Sequence, residues 1–202
     1  MTIERINTYH DERFSDKVLK QHGAFLVDEK PYEVEIISDT EAVVRGEEQF
    51  QKEVIEEFRF YAEHICSFYN KEGKCIAQYP AVELFDISIE DIQPSQFFAD
   101  RDKKDAVLTF IQGEKDIVIP LNKLGDKYVS VDGHTRLFAA IEKGYHTVKG
   151  FLTEESEYIP GFVKEAQKRG VFSPYDITEL SHEEYEVKWN QFCEEYFARK
   201  EF

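Results

Sequence analysis

Cysteine is scarce in this chain, and its three copies lie far apart. Cys66, Cys75 and Cys193 have neither the close pairing of a zinc site nor the even number of a disulfide framework. We therefore expect no cysteine-based metal centre and no disulfide-stapled fold. A reducing, cytoplasmic location is the default expectation.

Long apolar runs are also missing. No stretch approaches the roughly 18 residues that a membrane-spanning helix needs. The first ten residues hold no apolar segment that could act as a signal peptide. The sequence therefore predicts a protein that does not work in a membrane.

Basic residues are too few to balance the acidic ones. The chain has 25 Lys and Arg against 41 Asp and Glu, a formal charge of −16. A duplex nucleic-acid binder needs a basic face to displace counterions from phosphates, so direct nucleic-acid binding is not expected. An acidic surface of this kind is better suited to contact with a protein partner.

The charge is unevenly placed along the chain. Residues 91–150 hold nine acidic and nine basic residues, so the remaining 142 residues, with 32 acidic and 16 basic, carry the whole −16. The balanced segment is therefore the one in which an anionic ligand is least repelled.

The chain contains enough apolar residues to build an aromatic-rich core. Hydrophobic residues make up 42% of it, with 17 Phe and 11 Tyr. Short strand-like runs alternate with helical patterns, which predicts an α+β fold. Three parts are expected: an N-terminal α+β cap over 1–80, a core over 81–152, and C-terminal helices over 153–202.

Within the N-terminal cap, three strand-like runs at 24–27, 32–37 and 42–45 are separated by turn-rich residues and predict a meander. The apolar spacing over 47–69 predicts one long helix.

The most informative stretch runs from Tyr128 to Ala140. Tyr128 to Val131 are β-formers, and apolar residues then recur at helical spacing until Gly144 can end the helix. The turn between strand and helix has the sequence Asp-Gly-His-Thr-Arg. The first turn of a helix has N–H groups without intrahelical partners and carries the positive end of the helix dipole. The pattern therefore predicts a phosphate-binding turn.

Each residue of the turn has a functional and a structural interpretation. Gly133 provides a positive φ and lets a phosphate approach the backbone. Asp132 caps the helix, or it holds Mg²⁺ or accepts a substrate proton. His134 donates to a ligand as a neutral imidazole, or it is a structural histidine. Thr135 donates its hydroxyl to phosphate or packs, and Arg136 clamps phosphate or pairs with a nearby acid.

A second segment offers possible pocket residues. Residues 92–98 read as a loop, and Ser95 and Gln96 would reach the same pocket if this loop lies above the turn. They are therefore candidate pocket residues.

Residues from about 82 to 152 resemble the ParB/sulfiredoxin superfamily. Val82–Ile87 and Ile92–Gln96 are similar to its opening strand and proline-containing loop, and Ile117–Leu121 to the strand before its glycine box. Lys127–Ala140 resembles the box itself, and Thr147–Phe151 the strand that follows. The resemblance implies a mixed sheet with helices that binds a nucleotide, ATP or ADP first and CTP as an alternative, with its phosphates on the box.

The box of this chain is most similar to that of the free-serine kinases in the superfamily. Where sulfiredoxins have a nucleophilic cysteine this chain has His134, and Thr135 replaces one of the two adjacent arginines of partition proteins. The serine kinases use a glutamate base in the loop after the first strand, and Gln96 in the matching loop cannot take a proton. A base would then be another carboxylate, such as Asp132 or Glu83.

Two functions follow and stay open at this point. One is transfer of a phosphoryl group from a nucleotide to a small hydroxylated molecule such as free serine, with Mg²⁺ bridging the phosphates and Asp132 and His134 as catalytic residues. The other is a non-catalytic nucleotide-binding or protein-interaction module.

Overall fold

The structure is a computed structural model, and it describes residues 1–199. It is an α+β protein, as the sequence predicts. The chain forms two compact units: residues 1–84 with 109–118, and residues 85–108 with 119 onward.

The first unit is built on a six-stranded sheet whose strands follow one another in chain order. Its hairpins and meander come from strands that pair antiparallel, except for the parallel pair of the fourth and fifth strands. The strands are β1 (Ile3–Arg5), β2 (Ala24–Val27), β3 (Lys30–Ile36), β4 (Glu41–Arg45), β5 (Ser67–Asn70) and β6 (Cys75–Gln78).

Two helices accompany this sheet, α1 (Asp16–Lys20) and α2 (Gln51–Tyr61). Helix α2 buries Val54, Ile55 and Phe58 at i, i+1 and i+4, and these side chains join the core formed with the sheet. The core also contains the edge-to-face pair of Phe58 and Phe68, whose ring centroids lie 6.2 Å apart.

The predicted helix over 47–69 is wrong in its second half. The backbone leaves the helical region at Ala62, with φ −141° and ψ 58°, and Ser67–Asn70 becomes strand β5. Ile65 and Phe68 are fully buried, as the pattern indicated, but they lie beyond the end of the helix. A short apolar run fits both the helical and the strand repeat. Residues 67–70 form a strand because β5 pairs with β4 and β6.

The second unit contains a five-stranded sheet with the strand order β7, β12, β10, β11, β8 and a separate parallel pair of β9 with β13. The strands are β7 (Phe85–Ser88), β8 (Ile92–Pro94), β9 (Phe98–Asp100), β10 (Val118–Leu124), β11 (Lys127–Ser130), β12 (Thr147–Leu152) and β13 (Thr178–Leu180).

The five-stranded sheet is strongly curled. Its two edge strands, β7 and β8, are joined by only the 3₁₀ turn Ile89–Asp91. A flat sheet would separate them by about 19 Å, whereas this link spans at most about 14 Å. The rings of Phe85 in β7 and Tyr128 in β11 accordingly touch, with centroids 5.4 Å apart. The sheet is therefore a partly closed barrel with a seam between its edges.

Four helices belong to the second unit: α3 (Arg101–Leu108), α4 (His134–Glu142), α5 (Ile159–Lys168) and α6 (His182–Arg199). The side chain of Lys104 in α3 is about 10% exposed and ties three elements together, with Nζ 2.7 Å from Glu142 of α4 and 2.6 Å from Glu179 of β13. Aromatic rings hold α6 in place, since Trp189 and Phe192 both pack on Phe97.

The predicted loop at 92–98 is partly a strand. Ile92–Pro94 pairs parallel with β11, where Pro94 lies opposite Ser130. Proline is tolerated because β8 is an edge strand and needs no second ladder of hydrogen bonds. This pairing fixes the residues after Pro94 beside the end of β11.

No helix within residues 1–199 is long and apolar enough to cross a bilayer.

Candidate functional site

The strand, turn and helix predicted around residue 133 are present. Strand β11 ends at Ser130, Gly133 has φ +79° and ψ 16°, and α4 begins at His134. The helix N-cap is Gly133, whose carbonyl accepts the first intrahelical bond from the Leu137 N–H at 2.9 Å. The structural interpretation of Asp132 as the N-cap is therefore wrong, because the cap falls one residue later.

Gly133 is required for two reasons. Its left-handed backbone is costly for any residue with a Cβ. A Cβ there would also lie 2.9 Å from Cδ1 of Ile119 and 3.2 Å from Nε and Nη2 of Arg136. The missing side chain thus leaves room for the guanidinium of Arg136 to fold back over the turn.

Arg136 and Asp132 form a loose ion pair across the turn. Nη2 of Arg136 lies 3.4 Å from Oδ2 of Asp132, and the Asp132 side chain is 69% exposed while that of Arg136 is 23% exposed. Solvent-exposed ion pairs of this length contribute little to the free energy of unfolding, of the order of 0–1 kcal/mol. Arg136 therefore forms the ion pair that the structural interpretation predicts. The pair is weak enough for a more strongly binding anion to take the place of the Asp132 carboxylate.

His134 is buried, and its Nε2 serves the protein itself. This atom lies 3.2 Å from the backbone nitrogens of both Ser95 and Gln96. Backbone N–H groups can only donate, so Nε2 is the acceptor and the proton of the neutral ring is on Nδ1. The hydroxyls of Ser95 and Ser130 lie at 3.2 and 3.1 Å from the same atom.

Burial lowers the pKa of His134 to about 4, which keeps the imidazole neutral near pH 7. A neutral ring matches the sequence-based expectation, but Nε2 faces the 94–96 segment and is engaged there. The geometry therefore favours the structural interpretation of His134: it fastens this segment to the start of α4.

The 94–96 segment contacts His134 at the turn, but its polar groups point inward. The Ser95 hydroxyl donates to the Ser130 carbonyl at 2.7 Å, and the Gln96 amide donates to the Phe98 carbonyl and the Tyr185 hydroxyl at 2.6 and 2.8 Å. Ser95 and Gln96 thus shape the site, and these contacts occupy their donors.

Thr135 is half-buried in the first turn of α4. Glu83, the alternative carboxylate base, is exposed and belongs to the first unit, whereas the turn belongs to the second.

Ser130 is the residue that the sequence interpretation missed. It is fully buried, its hydroxyl contacts His134, and its carbonyl accepts from Ser95. The available signal was its position, four residues before a histidine and at the end of a strand that leads into a helix.

For a metal ion the turn offers a single ligand. Within the described residues no group of three or more His, Cys, Asp and Glu could hold a metal. Asp132 alone fits a Mg²⁺ ion only if nucleotide phosphates and water complete its oxygen shell, which is a common arrangement for Mg²⁺.

Comparison with known proteins does not assign a family. No family model matches the chain, and no curated protein does. Among solved structures with detectable similarity is that of protein Atu1540 from Agrobacterium tumefaciens, with 12% identity and a TM-score of 0.35. The alignment covers 48% of this chain and 62% of that one, so this chain spans less than two thirds of the Atu1540 structure. The functional interpretation therefore depends on the geometry of the turn.

Proposed function

We propose that the turn from Asp132 to Arg136 binds the phosphates of a nucleotide, ATP or ADP in preference to CTP. The observation that carries this proposal is the guanidinium of Arg136, which folds over the left-handed Gly133 at the N-terminus of α4. A cation and a helix N-terminus then converge on one point, and both of them favour an anion there.

Arg136 is poised to exchange one partner for another. Its bond to the Asp132 carboxylate is long and exposed. A phosphate can offer two oxygens to the planar guanidinium and carries more charge than a carboxylate, so it is the better partner. Phosphate binding would replace this contact with Asp132.

Phosphoryl transfer to a small hydroxylated molecule, such as free serine, is the second candidate function. It is favoured by the 69% exposed carboxylate of Asp132, one residue before the phosphate position. Once released from Arg136, Asp132 would hold Mg²⁺ or take the substrate proton. His134 would act as a positioning residue in this scheme, because its Nε2 is engaged by the backbone of the 94–96 segment.

Membership of the ParB/sulfiredoxin superfamily is part of the same proposal. It is supported by the resemblance of the glycine box and by the strand, left-handed glycine and helix around it. A cytoplasmic location is supported by the free thiols of Cys66, Cys75 and Cys193. The acidic surface, with a formal charge of −16, supports a protein partner in the non-catalytic alternative.

Thermal unfolding with ATP, ADP, CTP and GTP, with and without Mg²⁺, tests binding. A ligand present at 100 times its Kd stabilises the folded protein by about 2.7 kcal/mol. For a chain of this size, that raises the thermal unfolding midpoint by about 5–10 °C. Arg136→Ala should abolish the shift. Lys143→Ala, which removes the same charge just past the far end of the same helix, should leave it unchanged. Equal shifts in both variants would contradict the proposal.

Asp132→Asn separates the two candidate functions. If the turn only binds, the variant should bind the nucleotide at least as tightly as the wild type, because a competing carboxylate has been removed. If Asp132 is catalytic, release of ADP in the presence of serine should fall to background while binding remains.

A further inference from the structure

A concave site lies in the seam of the curled sheet, around the start of β11, whereas the proposed phosphate-binding turn follows the end of this strand. It is a cleft of about 540 Å³, a size within the range of small-molecule sites. Both sheet edges and the turn before β11 contribute to it. The lining residues that matter below are Phe85, Asp86, Glu90, Asp91, Asp126, Lys127, Tyr128 and Phe172.

Three aromatic rings form walls of the cleft. Phe85 and Tyr128 touch across the seam with centroids 5.4 Å apart. Phe172 is 56% exposed, which is a large apolar surface for one side chain to leave in water. Its backbone N–H donates to the Asp176 carboxylate at 3.0 Å, so the segment that carries the ring is held in place. The backbone that carries the Phe172 ring is therefore held at the cleft by the protein itself.

The charged residues of the cleft have an excess of one sign. Four carboxylates face one lining ammonium, that of Lys127, for a formal charge of −3, and the Lys123 ammonium lies 5.8 Å from the centroid of the Tyr128 ring. Asp86 is already paired with Lys149 at 2.7 Å. Glu90, Asp91 and Asp126 form no ion pair with any residue of the described part of the chain. Three carboxylates thus stay available on the rim, beside the ring faces.

We propose that this cleft binds a small organic cation, an ammonium or guanidinium group carried on an alkyl or aryl body. The carboxylates attract the charge, and ring faces attract the same charge through their quadrupole while they cover the apolar body. A phosphate-bearing molecule is disfavoured here by the negative rim. The site is therefore separate from the proposed nucleotide site and does not depend on it.

Calorimetric titration of the full chain with agmatine, which carries a guanidinium and an ammonium on a butyl chain, tests the proposal. Saturable binding is expected. Phe172→Ala and Asp126→Asn should each weaken it by about two- to fivefold, the range measured for exposed contacts of these kinds. Both positions are exposed, so the variants should fold.

The matched controls are an aromatic and an acidic residue outside the cleft. Tyr175→Ala removes an exposed ring three residues from Phe172, and Glu194→Gln removes an exposed carboxylate of α6. Neither should change the affinity. The proposal is overturned if agmatine shows no saturable binding at millimolar concentration. It is also overturned if all four variants bind like the wild type, because attraction by the net charge of −16 alone would explain that result.

Discussion

Nε2 of His134 lies 3.2 Å from the backbone nitrogen of Ser95 and accepts a hydrogen bond from its N–H group. Since the Gln96 nitrogen is at the same distance, one imidazole satisfies two consecutive N–H groups of a buried segment. This contact joins the end of an edge strand to the beginning of α4, 39 residues apart in sequence. It makes the shape of the candidate site depend on the neutrality of a single ring.

Replacing His134 by Leu should destabilise the protein by about 2–4 kcal/mol, because two buried N–H groups lose their acceptor. His134→Gln should lose less stability, because the glutamine amide oxygen can still accept a hydrogen bond. Urea unfolding measures both. His146→Ala, at an exposed histidine, is the control and should stay within about 0.5 kcal/mol of the wild type. An equally small effect at His134 would show that the contact is dispensable.

Acid should lower the free energy of unfolding because the His134 ring is protonated more easily in the unfolded chain than in the folded protein. The folded pKa of His134, about 4, is lower than the ordinary value of 6.5, so the unfolded chain takes up a proton first as the pH falls. The stability from neutral His134 is fully present above pH 6.5 and is lost as the pH falls to about 4, a change of about 3 kcal/mol. The gap in unfolding free energy between wild type and His134→Leu should therefore narrow over this interval.

The contribution of His182 to the pH dependence of stability must be separated from that of His134, because the two have opposite signs. Its Nδ1 lies 2.8 Å from the buried Asp100 carboxylate, and this hydrogen bond raises the pKa of His182. Its contribution is present below its unfolded pKa and is lost as the pH rises through the folded one. Measuring the His134 series in a His182→Ala background removes this contribution. A gap that does not change with pH would contradict the lowered pKa of His134.

Gly133→Ala should lower the free energy of unfolding more than Gly144→Ala does. Both glycines have nearly the same left-handed backbone, with φ +79° and +77°. A Cβ at Gly144 meets nothing within 4 Å, whereas one at Gly133 lies 2.9 Å from Ile119 and displaces Arg136. We expect a loss of about 1 kcal/mol at Gly144 and of about 2–3 kcal/mol at Gly133. Chemical denaturation measures both, and equal losses would mean that the close contact is easily relieved.

Lys104→Met should destabilise the second unit by about 1–2 kcal/mol, because Glu142 and Glu179 lose their common partner while the apolar stem is kept. The neighbouring Lys103, 3.9 Å from Asp100 and 37% exposed, is the matched control. Lys103→Met should have a smaller effect in the same unfolding experiment. A larger effect at Lys103 would contradict the bridging role of Lys104.

The parts predicted well from sequence are those with strong local signals. The meander over residues 24–45 has β-formers separated by turn residues, and the 128–144 segment changes from strand to helix at a glycine. Both signals act over a few residues. The helix predicted over 47–69 failed because Ile65 and Phe68 continue the helical spacing by coincidence after the helix has ended.

The candidate site was only half predictable. The sequence named Ser95 and Gln96 as possible neighbours of the turn. It could not give the direction of their donors, since that depends on Ser130, Phe98 and Tyr185. A sequence pattern names the groups that are able to bind a ligand. It does not tell which of them the protein has already used.

The sequence alone determined the α+β class, the acidic charge and the left-handed glycine before α4, because these follow from composition and local backbone preference. Only the tertiary structure decided that His134 is enclosed, that Arg136 lies over Gly133 and that the sheet curls until its edges form a cleft. These features depend on contacts between residues far apart in the chain, whose burial and geometry come from packing rather than from any local pattern.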